Sequence, residues 1–138
     1  MFPAPRLISA LAACLLLAAG GCDDTPPAAD AAGAITLPSG LIAQPLDVIT
    51  NAPGAKGDTV RFRYVAPDLQ AGQDASADMQ VLCDDNALPQ LAKTDPKPQQ
   101  IIIVLADRAV PFGEAAPDAV QYFEAYAIKT DACIWEIF

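Results

Sequence analysis

The chain has 138 residues, of which 17 are acidic and 8 are basic, and it contains no histidine. The acidic excess argues against nucleic acid as a partner, because that binding begins with cationic neutralisation of phosphates. The absence of histidine excludes His-dependent acid–base chemistry, Ser-His-Asp and Cys-His nucleophile systems, and the commonest metal ligand. We therefore expect no metal site and no cofactor.

Residues 1–22 have the layout of an export signal, with Arg6 as a positive start, an apolar run over residues 7–19, and two glycines before Cys22. The run is shorter than the roughly 20 apolar residues that a transmembrane helix needs. A cysteine directly after small residues resembles the lipobox of bacterial lipoproteins, in which that cysteine becomes the first mature residue and carries acyl chains. The resemblance implies acylation of Cys22. Ordinary cleavage near Gly21, without a lipid, is the alternative.

The number of cysteines supports acylation of Cys22. Cys14 leaves with the leader, and cleavage at Cys14 itself would leave a very short apolar core and an apolar mature start. The remaining Cys22, Cys83 and Cys133 leave one thiol over in an oxidising compartment, unless Cys22 is acylated. We therefore predict a Cys83–Cys133 disulfide, and anchoring of the protein to the periplasmic side of a bacterial membrane through its acyl chains.

Residues 23–34 are small, acidic and proline-rich, which is typical of a flexible tether. By resemblance to the same lipoproteins, Asp23 and Asp24 imply retention at the inner membrane, and a plain acidic linker is the alternative. Residues 35–138 are enough for one domain with a modest core.

Residues 35–46 contain two prolines and a glycine, which predicts short extended pieces, followed by an edge strand over residues 47–50 and a turn over residues 51–58. Residues 59–66 form the clearest strand. Val60, Phe62 and Tyr64 alternate with Arg61 and Arg63, a period of two that places one face in the core.

Residues 74–88 predict the one helix, capped by Asp74 or Ser76. Four apolar side chains fall on one stripe at helical spacing, namely Met79, Leu82, Cys83 and Ala87. Three acidic side chains are expected to face water, namely Asp78, Asp84 and Asp85. Pro89 is expected to end the helix. Residues 100–107 contain five consecutive large apolar residues, which predicts a central strand covered on both faces.

Residues 111–118 predict a turn-rich loop, and residues 119–138 a hairpin of strands 120–128 and 132–138. A helix starting at Pro117 is the alternative, because Val120, Phe123 and Ala127 also fit helical spacing. Aromatic enrichment favours the strand. The predicted fold is α+β, with one helix packed on a mainly antiparallel sheet of about four strands and stapled by one disulfide.

Four stretches carry a resemblance, namely RFRYVAP, PFGE, QYFEAY and CIWEIF. They resemble a family of small exported bacterial proteins that has only an unknown-function label. The resemblance covers residues 35–138 and implies a shared fold. It implies no activity and no catalytic residue.

Asp107, Arg108 and Glu114 are predicted to gather at the end of the apolar strand. Two carboxylates with an arginine could perform acid–base chemistry or hold a polar ligand. The alternative is a turn with ordinary surface ion pairs.

Arg61 and Arg63 share the outward face of their strand and could form a fork for an anion. Pairing with the acidic side chains Glu124 and Glu136 across strands is the alternative. Trp135 is expected to be buried against the disulfide, with a place in an interface as the other possibility.

The predicted function is that of a membrane-tethered accessory or binding module of the cell envelope, with an envelope protein as a possible partner. The alternative is a small envelope enzyme that uses Asp107 and Glu114.

Overall fold

The computed structural model describes residues 33–54 and 57–137. The predicted leader of residues 1–22, the acylation site Cys22 and most of the predicted tether lie outside the described residues. The last two residues of that tether, Gly33 and Ala34, lead directly into the first strand.

Within the described residues, six strands form one sheet, in which each strand lies beside the next in the chain. They are β1 (Ile35–Thr36), β2 (Ile42–Gly54), β3 (Gly57–Val65), β4 (Gln100–Ala106), β5 (Gln121–Lys129) and β6 (Ala132–Glu136). The β3–β4 pair is parallel and the other pairs are antiparallel. A parallel pair requires a long crossover, and residues 66–99 supply it.

The prediction of about four strands was wrong, because the first part of the chain is more regular than its composition indicates. β2 runs through Pro45 and Pro53, where the sequence predicts interruption. Proline is tolerated on an edge strand or at a bulge. β1 pairs with β2 only over its first residues, and the β2–β3 register shifts after Pro45 and after Ile49.

The one helical segment of the described residues, α1, covers residues 76–90 and lies in the crossover. It consists of an α-helical part (Ser76–Val81), a π-helical part (Leu82–Ala87) and a last turn (Leu88–Gln90). The predicted cap by Asp74 or Ser76 is wrong, because Ala75 is the N-cap and no side chain caps the helix. Asp74, one residue earlier, accepts a hydrogen bond from the backbone N–H of Ser76 at 3.0 Å. Pro89, which was expected to end the helix, lies within the segment, and the wide π-helical turns precede it.

The main core lies between α1 and one face of the sheet. The predicted helix stripe is confirmed, since Met79, Leu82, Cys83 and Ala87 have no exposed surface. It packs on the alternating side chains of the strands, among them Val60, Phe62, Tyr64, Ile101, Ile103, Leu105 and Tyr126. A smaller cluster of Ile102, Val104 and Ala125 lies on the opposite face. β4 is therefore buried on both faces, as its composition predicts.

Asp78 was expected to face water, and this prediction is wrong. Its side chain is 1% exposed, and Oδ1 accepts a hydrogen bond from the backbone N–H of Ser39 at 2.9 Å. Asp84 is half-buried and accepts from the backbone N–H of Cys133 at 2.9 Å. Asp85 is exposed as predicted.

The Cys83–Cys133 disulfide is present, with a Cα–Cα distance of 6.1 Å. It fastens α1 to β6. The amide of Gln80 adds a hydrogen bond of 2.9 Å to the carbonyl oxygen of Cys133. Trp135, expected against this disulfide, is instead 54% exposed.

Residues 121–129 form a strand between β4 and β6, so the helical alternative for this segment is wrong. A two-residue turn of Thr130 and Asp131, both at positive φ, connects β5 to β6. In the part of the chain that the structure describes, no helix has the length and apolar character needed to cross a membrane.

Candidate functional site

Arg61 and Arg63 lie side by side on the face of the sheet opposite α1. Since Val60, Phe62 and Tyr64 point into the main core, the residues between them point to the other face. β3 is an inner strand between β2 and β4, and both arginine side chains are half-buried. The loop after β4 covers them, with the Phe112 ring centroid 5.3 Å from Cζ of Arg61 and 5.8 Å from Cζ of Arg63.

Arg63 has partners for its whole guanidinium group. Its Nε donates to Asp47 Oδ1 at 2.6 Å, its Nη2 is paired with Asp47 Oδ2, and its Nη1 donates to the carbonyl oxygen of Val110. The hydrogen bonds from Arg63 hold the pKa of Asp47 below its usual value, and those to Asp47 raise the pKa of Arg63. Asp47 comes from β2, opposite Arg63 in the β2–β3 pair.

Arg61 has no such partner in residues 33–54 and 57–137. Its Nε is buried without a hydrogen bond, and its guanidinium group lies over the ring of Phe112. Burial lowers the pKa of Arg61, and the positive charge of Arg63 lowers it further. Because an arginine keeps its charge at neutral pH, Arg61 is a partly desolvated cation that has no counter-ion among the described residues.

The two arginines line an open cleft of about 420 Å³, which we term the arginine cleft. Its other lining side chains include Val104, Val110, Phe112, Glu114, Gln121 and Phe123. The register places Val104 beside Arg63 and Phe123 beside Val104 in one row across the sheet. The cleft thus joins a charged end to an apolar wall, and Glu114 contributes the one carboxylate among these lining residues.

The predicted cluster of Asp107, Arg108 and Glu114 is only partly assembled. Arg108 donates to both carboxylate oxygens of Asp107, at 3.0 and 2.9 Å, and to the carbonyl oxygen of Asp118 at 3.2 Å. This hydrogen bonding from Arg108 lowers the pKa of Asp107. Glu114 lines the arginine cleft, whereas Asp107 and Arg108 do not. The enzyme alternative requires the carboxylates of Asp107 and Glu114 in one cleft, and the structure does not place them in one.

Sequence reasoning found the arginine pair but not its surroundings. Glu124 and Glu136 were named as partners, whereas Glu124 lies on the α1 side of the sheet and Glu136 accepts from Gln100 Nε2 at 3.0 Å. The actual partner of Arg63 is Asp47. The available signal was that Asp47 belongs to the segment just before the strand, which a hairpin would bring alongside.

The described residues contain no group of three or more His, Cys, Asp or Glu side chains that could hold a metal ion. The charged groups of the arginine cleft are instead suited to ion pairing and hydrogen bonding with an organic ligand.

Comparison with curated proteins gives no match. Comparison with solved structures also gives none. Residues 18–138 match the model of one family, described as a family of unknown function (DUF6497). This range includes β1 to β6, α1 and the arginine cleft, so the chain belongs to this uncharacterised family, DUF6497.

Proposed function

We propose that this protein is a binding module of the bacterial cell envelope, and that the arginine cleft holds a small organic acid. The observation that carries the proposal is the half-buried Arg61 guanidinium without a counter-ion among the described residues. Taking a charge out of water without a partner is costly. A ligand anion would recover that cost, and the Arg63–Asp47 pair would remain intact beside it.

The lining supports a carboxylate attached to an apolar body. Guanidinium groups bind planar carboxylates through two parallel hydrogen bonds. Val104, Phe112 and Phe123 offer apolar surface next to that position. The volume falls within the range of about 300–1,000 Å³ that is usual for small-molecule sites. A polyanion such as nucleic acid fits poorly, because one unpaired arginine in an acidic chain cannot neutralise a row of phosphates.

The place of action is also part of the proposal. An export signal over residues 1–22, acylation at Cys22 and a tether over residues 23–34 would hold the domain of residues 35–138 on the periplasmic side of a membrane. The use of Cys83 and Cys133 in a disulfide supports this, because Cys22 is then the odd cysteine of the mature chain. The module would bind its ligand, or present it to an envelope partner, at that surface.

The binding test uses phenylacetate, which carries a carboxylate and an apolar ring, and its neutral analogue phenylacetamide. The NMR signal of the Arg61 Nε–H reports on the cleft directly. We expect a saturable shift with phenylacetate and none with phenylacetamide. Arg61→Gln lacks this reporter, so its affinity and that of the wild type are compared by titration calorimetry. The variant should bind phenylacetate about tenfold more weakly or worse, the usual value of a charge-assisted hydrogen bond.

Arg108→Gln is the matched control, because it removes the same charge from an exposed arginine outside the cleft. It should leave phenylacetate binding unchanged. Glu114→Gln removes the carboxylate from the cleft wall and should tighten binding, because it removes a repulsive charge. Equal shifts with the acid and the amide, or equal affinities of Arg61→Gln and the wild type, would show that the cleft is not an acid-binding site.

A further inference from the structure

A second open groove, of about 270 Å³, lies between the first turns of α1 and the β5–β6 pair. We term it the edge groove, and it is lined by Ser76, Gln80, Glu124, Tyr126 and Trp135. It lies on the α1 side of the sheet, whereas the arginine cleft lies on the other side. No residue lines both.

Glu124 is the charged group of the edge groove. Its side chain is half-buried, and it accepts a hydrogen bond from the hydroxyl of Tyr126. The described residues provide it with no ion pair. Burial raises the pKa of Tyr126 well above its usual value, and the hydrogen bond to Glu124 raises it further. The hydroxyl therefore stays a donor to Glu124, and the described residues place no cation beside this side chain.

The rest of the lining offers hydrogen-bond acceptors and an aromatic face. The amide nitrogen of Gln80 is occupied by Asp84 and by the carbonyl oxygen of Cys133, which leaves the amide oxygen of Gln80 as an acceptor. The Ser76 hydroxyl donates its proton to Asp74 and so can only accept from a ligand. Trp135, opposite Tyr126 in the β5–β6 register, is 54% exposed.

We propose that the edge groove binds an organic ammonium or guanidinium group, with Glu124 as its counter-ion and the Trp135 ring as its stacking surface. Cations are attracted to the faces of aromatic rings, to Trp most strongly. None of the lining residues carries a positive charge, and the formal net charge of −9 adds a long-range attraction for cations. A hard metal ion fits less well, because it requires several oxygen ligands around one point.

Trp135 makes this proposal directly measurable, because it is the one tryptophan of the chain. The probe is n-butylammonium chloride, titrated into the full-length protein at constant ionic strength and followed by tryptophan fluorescence. The neutral analogue 1-butanol serves as the ligand control. We expect a saturable change with n-butylammonium and only a linear solvent effect with 1-butanol. Identical responses to the two compounds would overturn the proposal.

Glu124→Gln tests the counter-ion. Its amide oxygen can still accept the Tyr126 hydroxyl, so the fold and the fluorescence reporter are retained. We expect n-butylammonium binding to weaken about tenfold, the loss of one charge-assisted contact. Glu114→Gln makes the same charge change in the arginine cleft and should leave this binding unaltered. If Glu124→Gln binds like the wild type, or if both variants weaken equally, the assignment to Glu124 is wrong.

The cation could belong to a free amine or to a lysine side chain of a protein partner. The peptide acetyl-Val-Lys-Val-amide distinguishes these sources when compared with n-butylammonium. Tighter binding of the peptide, lost in Glu124→Gln, assigns the groove to a protein side chain. Equal or weaker binding of the peptide assigns it to a small amine. Failure of both probes to saturate the signal removes the site altogether.

Discussion

Arg61 and Arg63 lie two positions apart on one face of β3, and their partners give them opposite energetic roles. Arg63 binds Asp47 and the carbonyl oxygen of Val110. Arg61 has a buried, unbonded Nε. Arg63 is therefore the arginine that stabilises the fold. Arg61 carries a desolvation cost that its contacts among the described residues do not offset and that a ligand could relieve.

We predict that Arg61→Met stabilises the ligand-free protein by about 1 kcal/mol, because an apolar side chain of similar length replaces a partly desolvated cation. Arg63→Met should instead destabilise it by roughly 1–3 kcal/mol, because Asp47 and the Val110 carbonyl lose their donors. Urea unfolding curves at neutral pH measure both changes. Loss of stability in both variants to the same extent would show that the two arginines do not differ in this way.

Alternation along β3 predicted which way both arginines point, but it could not predict their partners. The pairing of Arg63 with Asp47 depends on a register that shifts between Pro45 and Asp47, and such a bulge leaves no clear signal in one sequence. Asp78 was misplaced for a related reason. Its side chain is buried, and Oδ1 accepts the N–H of Ser39, a residue 39 positions away.

At the level of elements, the contact between α1 and β6 is secured at three points around Cys133. The disulfide joins its side chain to Cys83, and the side chains of Asp84 and Gln80 bind its backbone N–H and carbonyl oxygen. Asp84 and Gln80 thereby bind polar backbone groups at one position of an edge strand, which would otherwise be open to pairing with another chain.

Replacement of both cysteines, Cys83→Ala with Cys133→Ala, should lower the free energy of unfolding by roughly 2–4 kcal/mol. The chain-entropy model gives about 4 kcal/mol for a closed loop of some fifty residues, and the observed separation is 50. The bonds from Asp84 and Gln80 remain, so we expect a folded protein of lower melting temperature. An unchanged melting temperature under oxidising conditions would show that the bridge does not stabilise the fold.

The elements differ in how well the sequence predicts them. The helix stripe and the apolar run of β4 were predicted because each pattern is local. The length of β2 and the parallel β3–β4 pair were not. Prolines in β2 are permitted because β1 pairs only with its first residues, which leaves the rest of β2 at the edge of the sheet. Strand direction depends on where the crossover returns the chain. Neither the edge position nor the path of the crossover can be predicted from the residues of the strand itself.

At the level of the whole molecule, the sheet separates two groups of opposite charge. The arginine cleft on one face contains an unpaired cation, and the edge groove on the other contains an unpaired carboxylate within the described residues. The two proposed ligands would therefore bind independently, one as an anion and one as a cation. The negative net charge of the chain attracts the cationic ligand over long distances, whereas the anionic ligand is attracted by the local field of Arg61.

The last prediction concerns how the molecule is held in its compartment. Since the disulfide uses Cys83 and Cys133, the predicted mature chain has Cys22 as its odd cysteine, and acylation would remove that thiol. Several acyl chains, at about 0.8 kcal/mol per buried CH₂, hold a soluble domain on a membrane. We therefore expect the wild type in the membrane fraction of bacterial cells, with an acylated N-terminus by mass spectrometry. Cys22→Ala should release the protein or block its processing, and Cys14→Ala, within the predicted leader, should change neither. A soluble wild type without acyl mass would contradict the tether, and Cys22 would then be a free thiol able to link two copies by a disulfide.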